Sequence, residues 1–187
     1  MSSTLVTVVA VASIVTFMAV AQLSRMRGVA RRGETLTRSR GLAHYVAYFF
    51  FVPYGVIAAR PGPELDAPEP LRWVGLALIV LGVGFALWAI ATLGRHYDLE
   101  LEVHRDHELV RTGPYRLVRH PIYTGLGLHF VGACLATGNI VLCAGTFLVT
   151  FPALYLRART EERLLRERFP EKYEAYAREV GMLVPLL

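Results

Sequence analysis

Cysteine and charged residues are both scarce in this chain of 187 residues. The two cysteines, Cys134 and Cys143, lie within apolar runs, which indicates small buried side chains and neither a disulfide framework nor a metal site. Charged residues make up 19% of the chain, against about 25% in soluble domains, whereas hydrophobic residues make up 54%. This shortage of charge excludes an ordinary soluble domain and predicts a protein embedded in a bilayer. We expect residues 1–187 to form one integral-membrane domain, because this length leaves no room for a separate soluble catalytic unit.

Five apolar runs are suited to cross the bilayer as helices, since a helix keeps its backbone hydrogen bonds internal. They are residues 5–23, 42–59, 73–93, 122–137 and 140–156. Pro53 removes a backbone donor from the second run and should kink it. Only Gly138 and Asn139 join the last two runs, so these must fold into a tight antiparallel hairpin.

The fold class that follows is an all-α polytopic membrane helix bundle with five transmembrane helices and a cytosolic C-terminal helical tail. In that tail we expect a charged helix at residues 157–169 and an amphipathic helix at residues 170–180. Residues 99–103 alternate between apolar and acidic, which is typical of a short strand.

The basic residues predict the orientation, because Lys and Arg near span ends stay on the cytoplasmic side. All of them except Arg60 and Arg72 fall in the first loop, the third loop or the tail, so we expect the N-terminus outside and the C-terminus in the cytosol, at a bacterial plasma membrane. The pI near 9.5 is then explained by basic residues that attract anionic lipid headgroups, and no nucleic-acid partner is expected. A small-x-small triplet at residues 19–21 could be a signal-peptidase site, but no positive charge precedes it, so we expect the first span to be retained.

The residues that carry chemistry begin with the stretch GPYRLVRHPIYTG at positions 113–125. Arg119, His120 and Tyr123 come together at the cytosolic mouth of the fourth span, where a helix N-terminus and a guanidinium both favour an anionic group. Glu161 and Glu162 follow the fifth span. Because the two spans form a hairpin, this carboxylate pair should lie beside the Arg-His-Tyr cluster.

Each feature also has a plainer interpretation. Arginines at span ends often only anchor headgroups, and Glu162 with Arg166 could form a surface pair four residues apart on a helix. Gly82 and Gly84 indicate a close helix contact rather than a phosphate loop, since no strand precedes them. Three histidines, at positions 96, 104 and 107, have a spacing that does not match a zinc site, so no metal is expected.

The order of motifs resembles the isoprenylcysteine carboxyl methyltransferase family and the wider membrane methyltransferase set that includes phospholipid methyltransferases. The matching pieces are LGRHY at 93–97, HELVRTGPYRLVRHPIYTG at 107–125, the pair Glu161-Glu162, and FPEKYEAYAREV at 169–180. The resemblance covers residues 93–187 as a methyltransferase-like region, whereas residues 1–92 match only in being hydrophobic. It implies that S-adenosylmethionine is the cofactor and that Arg119 is the catalytic residue. It also implies these cofactor-binding residues: Tyr115, His120, Pro121, Tyr123, Gly125, Glu161 and Glu162.

The sequence specifies the acceptor of the methyl group less closely than the cofactor. Membrane burial favours a lipid-like or apolar acceptor, and a carboxylate of the isoprenylcysteine type needs no general base because it is already ionised. Departures from the family pattern at Leu126, Pro170 and residues 181–182 leave the acceptor open. The alternatives are a phospholipid or amine methyltransferase, an NADPH-dependent sterol-type reductase with a related R-H-P-x-Y-x-G motif, and a non-catalytic membrane scaffold. The sequence indicates neither an oligomeric state nor a pathway.

Overall fold

Helices dominate the computed structural model, which describes residues 3–29, 35–39, 63–94, 101–104 and 109–185. The helices within these ranges are α1 Ser3–Val29, α2 Glu69–Leu93, α3 Pro121–Thr137, α4 Ile140–Arg168 and α5 Pro170–Glu179. The other elements are strands β1 Thr35–Ser39 and β2 Leu101–His104 and a 3-10 turn at Gly113–Arg116.

Three of the described helices are long and apolar enough to cross a membrane. They are Thr4–Ser24 within α1, Glu69–Leu93 and Ile140–Arg168. Helix α3 has 17 residues and a length of roughly 25 Å, slightly less than the hydrocarbon core of a bilayer. The predicted span at residues 42–59 lies outside the described residues. An integral-membrane helix bundle is therefore supported, while the count of five spans stays a prediction.

Helices α2 and α3 approach each other backbone to backbone along a glycine seam, which we define as Gly75 and Gly82 of α2 with Gly125 and Gly132 of α3. A Cβ atom on Gly82 would lie 2.5 Å from the carbonyl oxygen of Gly125, and one on Gly75 would lie 2.5 Å from that of Gly132. Contacts this close exclude any side chain, which is why small residues mark helix interfaces in lipid. The predicted helix contact is thus confirmed for Gly82, whereas a Cβ atom on Gly84 would meet nothing within 4 Å.

Helix α1 adds an apolar stripe to the same core. Its buried residues recur every three or four positions, so they lie on one helix face. They are Val6, Ala10, Ile14, Phe17 and Ala21. They share one cluster with Ile79, Val83 and Ala86 of α2 and with Leu126, Phe130 and Ala133 of α3.

The predicted hairpin of α3 and α4 is present. Gly138 adopts the left-handed conformation (φ 66°) that ends α3, and the side chain of Asn139 caps α4 by accepting a 3.0 Å hydrogen bond from the backbone N–H of Leu142. Beyond the turn, Cys134 and Thr146 lie opposite each other with their side-chain atoms 3.5 Å apart. We call the far end of the two helices, opposite this turn, the open end of the hairpin.

Helix α4 joins two segments that the sequence analysis treated separately. The apolar run at 140–156 and the charged helix at 157–169 form one continuous helix, Ile140–Arg168. Residues Thr146–Thr150 form a wide π-type turn in which the backbone N–H of Phe151 donates to the carbonyl of Thr146. Pro152 lies two residues after the end of this turn and cannot donate a backbone hydrogen bond of its own.

The described residues also contain a two-stranded antiparallel ribbon, an addition to the all-α prediction. Strand β1 pairs with β2, and Ser39 lies opposite Leu101. The alternation at residues 99–103 had indicated this second strand, which begins at Leu101 and ends at His104. The ribbon links the loop after α1 to the loop after α2.

Replacing Gly82 by alanine should lower the thermal unfolding temperature, because the new methyl group would meet backbone atoms of α3. Overpacking of this kind costs about 1–3 kcal/mol. Gly84→Ala is the matched control on the same helix, since it adds a methyl group in open space. Equal unfolding temperatures of the two variants in detergent would contradict the glycine seam.

Candidate functional site

The N-terminus of α3 is held by residues 181–183, which we call the C-terminal strap. His120 precedes the helix and Pro121 is its first residue, where a missing backbone donor leaves no hydrogen bond unmade. The strap runs parallel to the chain at Val118 and accepts three hydrogen bonds from it. They run from Arg119 N to Gly181 O (2.8 Å), from His120 N to Met182 O (3.0 Å) and from Thr124 Oγ1 to Leu183 O (2.8 Å).

Helix α5 positions the strap by packing on the chain before α3. Tyr173 and Tyr176 are both buried, and they form a cluster with Leu109 and Leu165. Burial raises the pKa of Tyr176 to about 12, so its phenol stays protonated. That phenol donates a 2.5 Å hydrogen bond to the carbonyl of Tyr115. The amphipathic helix predicted at 170–180 is therefore a docked part of the site rather than a separate surface helix.

Arg119 lies at the junction of α3, α4 and the tail, with a side chain only 10% exposed. Its Nε and Nη2 atoms contact Oε1 of Glu162 at 2.8 and 2.6 Å. Its Nη1 atom donates to the carbonyl of Ala177 at 3.1 Å and to that of Val180. Every guanidinium nitrogen thus has a protein partner, which is how a buried arginine becomes stable.

The two adjacent carboxylates have different surroundings. The side chain of Glu162 is 3% exposed, and its second oxygen lies 3.3 Å from Nη2 of Arg166, so both of its oxygens are occupied by arginines. The side chain of Glu161 is 28% exposed. It accepts a 2.6 Å hydrogen bond from the Tyr123 hydroxyl and lies 3.2 Å from Nδ1 of His120. Glu161 is therefore the carboxylate of the pair that a ligand can reach.

His120 and Tyr123 form one wall beside Glu161. Their rings are stacked with centroids 5.7 Å apart, and the Tyr123 hydroxyl accepts a 2.8 Å hydrogen bond from Nε of Arg157. Burial lowers the pKa of His120, but hydrogen bonds and negative charge from Glu161 and Glu162 raise it by more, so the pKa lies above its ordinary value of 6.5. These carboxylates therefore favour the protonated imidazole. Its Nε2 is buried and lies 3.6 Å from Oε1 of Glu162, too far for a hydrogen bond.

The structure brings together Arg119, His120, Tyr123, Glu161 and Glu162 at the open end of the hairpin, as their spacing predicted. The other predicted cofactor-binding residues take different positions. Tyr115 is buried beneath α5, and Pro121 is buried at the first turn of α3. Gly125 faces α2 in the glycine seam rather than the charged cluster. A cofactor contact by these three residues stays a prediction.

Sequence reasoning missed several residues of the site. Arg157 was counted only among the basic residues of the tail, although its spacing of four from Glu161 on a helix places both on one face. Thr124 and the strap carbonyls carried no signal, because their contacts depend on how the tail folds back. His96 and His107, considered for a metal, lie outside the described residues.

Comparison with known proteins identifies the fold family. A family model described as phospholipid methyltransferase matches residues 71–172, more than half of the chain and inclusive of the charged cluster. The chain belongs to the phospholipid methyltransferase family. The protein-S-isoprenylcysteine O-methyltransferase of Saccharomyces cerevisiae is 30% identical over 162 residues, which are 82% of this chain and 68% of that protein. The resemblance noted from the motifs is confirmed.

Two further comparisons agree with this assignment. A rice protein (Oryza sativa subsp. indica) described as a probable protein-S-isoprenylcysteine O-methyltransferase is 32% identical over 67% of this chain and 66% of its own length. The solved eukaryotic intramembrane Ras methyltransferase, isoprenylcysteine carboxyl methyltransferase, has a similar fold, with a TM-score of 0.58 at 24% identity. That match covers 77% of this chain and 50% of the solved one. The chain therefore spans about two thirds of the length of these relatives and half of the solved protein.

Removing the Arg119 cation should release the tail from the open end of the hairpin. Arg119→Gln leaves Glu162 buried with one arginine fewer, a loss that costs about 3–5 kcal/mol for a buried pair. Arg111→Gln is the matched control, because Arg111 also binds α5, through Glu179 at 2.6 Å, but on the surface. An exposed pair contributes at most about 1 kcal/mol. Thermal unfolding and limited proteolysis of residues 170–185 measure both effects, and equal losses would contradict the central position of Arg119.

Proposed function

We propose that this chain is an integral-membrane methyltransferase that binds S-adenosylmethionine at the open end of the hairpin, on the cytosolic side. The observation that carries the proposal is the pair of unlike carboxylates. Glu161 is accessible and is oriented by two hydrogen-bonding side chains, while Glu162 is buried and fixes Arg119. A scaffold that needs arginines only as headgroup anchors has no use for a buried, fully partnered guanidinium between two helices and a tail.

The donor set at this end fits the chemical groups of S-adenosylmethionine. Glu161 can accept from the ammonium group or the ribose hydroxyls, and the stacked rings of His120 and Tyr123 offer an aromatic wall. We assign Arg119 a positioning role in place of the catalytic role expected from the motif, because its nitrogens already hold Glu162 and the tail.

The contacts of His120 favour a carboxylate acceptor. When bound, the cofactor supplies an electrophilic methyl group, and the transfer depends mainly on positioning of the acceptor in line with it. An amine acceptor must first lose a proton, and His120 is poorly placed to take it, because its Nδ1 lies 3.2 Å from Glu161 and its Nε2 is buried. A carboxylate, with a pKa of about 4, needs no base. We therefore propose a lipid-like acceptor with a free carboxylate, such as an S-prenylated cysteine, which the names of the relatives also indicate.

The cofactor assignment predicts that S-adenosylhomocysteine raises the thermal unfolding temperature of the purified chain, whereas NADPH does not. Glu161→Gln should weaken this binding about ten- to hundredfold, since a hydrogen bond to a charged group contributes about 1.5–3 kcal/mol. Glu167→Gln is the matched control, because it removes the same charge from an exposed position on the same helix. Stabilisation by NADPH alone would favour a reductase, and a response to neither ligand would favour a scaffold.

The acceptor assignment predicts where a labelled methyl group goes. Membranes that contain the chain should transfer label to an S-prenylated cysteine, and mild base should release it as methanol, because methyl esters hydrolyse and N-methyl groups do not. Phosphatidylethanolamine serves as the amine acceptor in a parallel reaction. Base-stable label in that lipid would support the amine alternative, and label only in water-soluble products would refute a lipid-like acceptor.

A further inference from the structure

The wide turn in α4 separates two halves of the helix that face the same partner. At the start of the turn, Thr146 lies beside Cys134 of α3. After it, Phe151 lies 3.7 Å from the position of a Cβ on Gly127, and Glu162 binds Arg119. Both halves therefore pack on α3, although a regular α-helix of this length would rotate its contact face away.

The rotation can be followed along the residues of α4 that pack inward. They recur at every fourth position: Leu142, Thr146, Thr150, Leu154, Ala158 and Glu162. In a regular α-helix each step of four residues turns the side chain by roughly 40° beyond a full circle, so five steps would add roughly 200°. A π-type turn holds one additional residue and takes back roughly 100° of this drift.

The charged face of α4 shows the effect of this correction. This face consists of Arg157, Ala158, Glu161 and Glu162, which are buried or directed at α3. Each residue of an α-helix turns the side-chain direction by roughly 100°. When the π-type turn takes up one additional residue, the centre of this face points roughly 10° from the direction of Thr146. If the same residues all formed a regular α-helix, that centre would lie roughly 90° away.

We propose that the π-type turn at Thr146–Thr150 sets the rotational phase of α4 and thereby positions the carboxylate pair against α3. Pro152 favours the wide turn, because its ring would clash with the carbonyl of Leu148 in a regular helix. The side chains of Phe147, Leu148 and Val149 are exposed. The turn thus acts through backbone geometry rather than through its side chains.

Two variants of equal length test this phase. Both lack Val149, an exposed residue of the turn, and both carry Pro152→Ala, so that the shortened turn can close into a regular α-helix. In such a helix the charged face keeps its direction relative to Thr146. The phase-restored variant gains an alanine after Arg168, beyond the charged face, whereas the phase-shifted variant gains it after Ala153, before that face. S-adenosylhomocysteine should bind the phase-restored variant within about threefold of the unaltered chain and the phase-shifted variant about a hundredfold more weakly. Equal affinities of the two variants, whether tight or weak, would overturn the proposal.

The binding readout rests on the proposed function, so a second readout without ligand separates the two claims. If the unaltered chain does not bind S-adenosylhomocysteine, the proposed function fails. The phase proposal is then judged by thermal unfolding, in which the phase-restored variant should unfold at a higher temperature than the phase-shifted one. Two further substitutions, Thr146→Cys and Cys143→Ala, are made in the unaltered chain and in both variants. They report whether the half of the hairpin next to its turn folds. Oxidation should join the introduced thiol to Cys134, and this disulfide should protect both sulfur atoms from a maleimide equally in all three proteins.

Discussion

The ion pair between Arg119 and Glu162 joins three parts of the chain at one buried point. Two charges withdrawn from water lose several kcal/mol each of hydration, and only a complete set of partners compensates for that loss. Here the carbonyls of Ala177 and Val180 satisfy the remaining guanidinium donors. The start of α3, the end of α4 and the tail are therefore interdependent, since displacement of any one would leave a buried charge without a partner.

This constraint explains why two neighbouring carboxylates differ in role. Successive residues on a helix point roughly 100° apart, so a face that buries Glu162 turns Glu161 toward its edge. There Tyr123 and His120 orient Glu161 without covering it. The buried carboxylate holds the architecture, the partly exposed one is available to a cationic or hydroxyl-bearing ligand, and both raise the pKa of His120.

Local features of the site could be predicted from the sequence, because each depends on short-range rules. Pro121 begins a helix, Gly138 ends it, and Asn139 caps the next, so the hairpin and the proximity of the motifs at its open end follow directly. The rotational phase of the helices, meaning which residues face a neighbouring helix, could not be predicted from the sequence. Gly125 lies within the motif yet faces α2, and the wide turn before Pro152 changes which residues of α4 face α3.

By itself the sequence determined the membrane setting, the helical hairpin, the meeting of the Arg-His-Tyr cluster with the carboxylate pair, and the resemblance to membrane methyltransferases. Only the tertiary structure decided that Arg119 holds protein groups rather than standing open, that Glu161 is the accessible carboxylate, and that the tail closes over the start of α3. The physical reason is distance along the chain. Arg119 meets Glu162 and Val180 across 43 and 61 residues, and such contacts depend on the accumulated rotation and packing of whole helices, which no local pattern records.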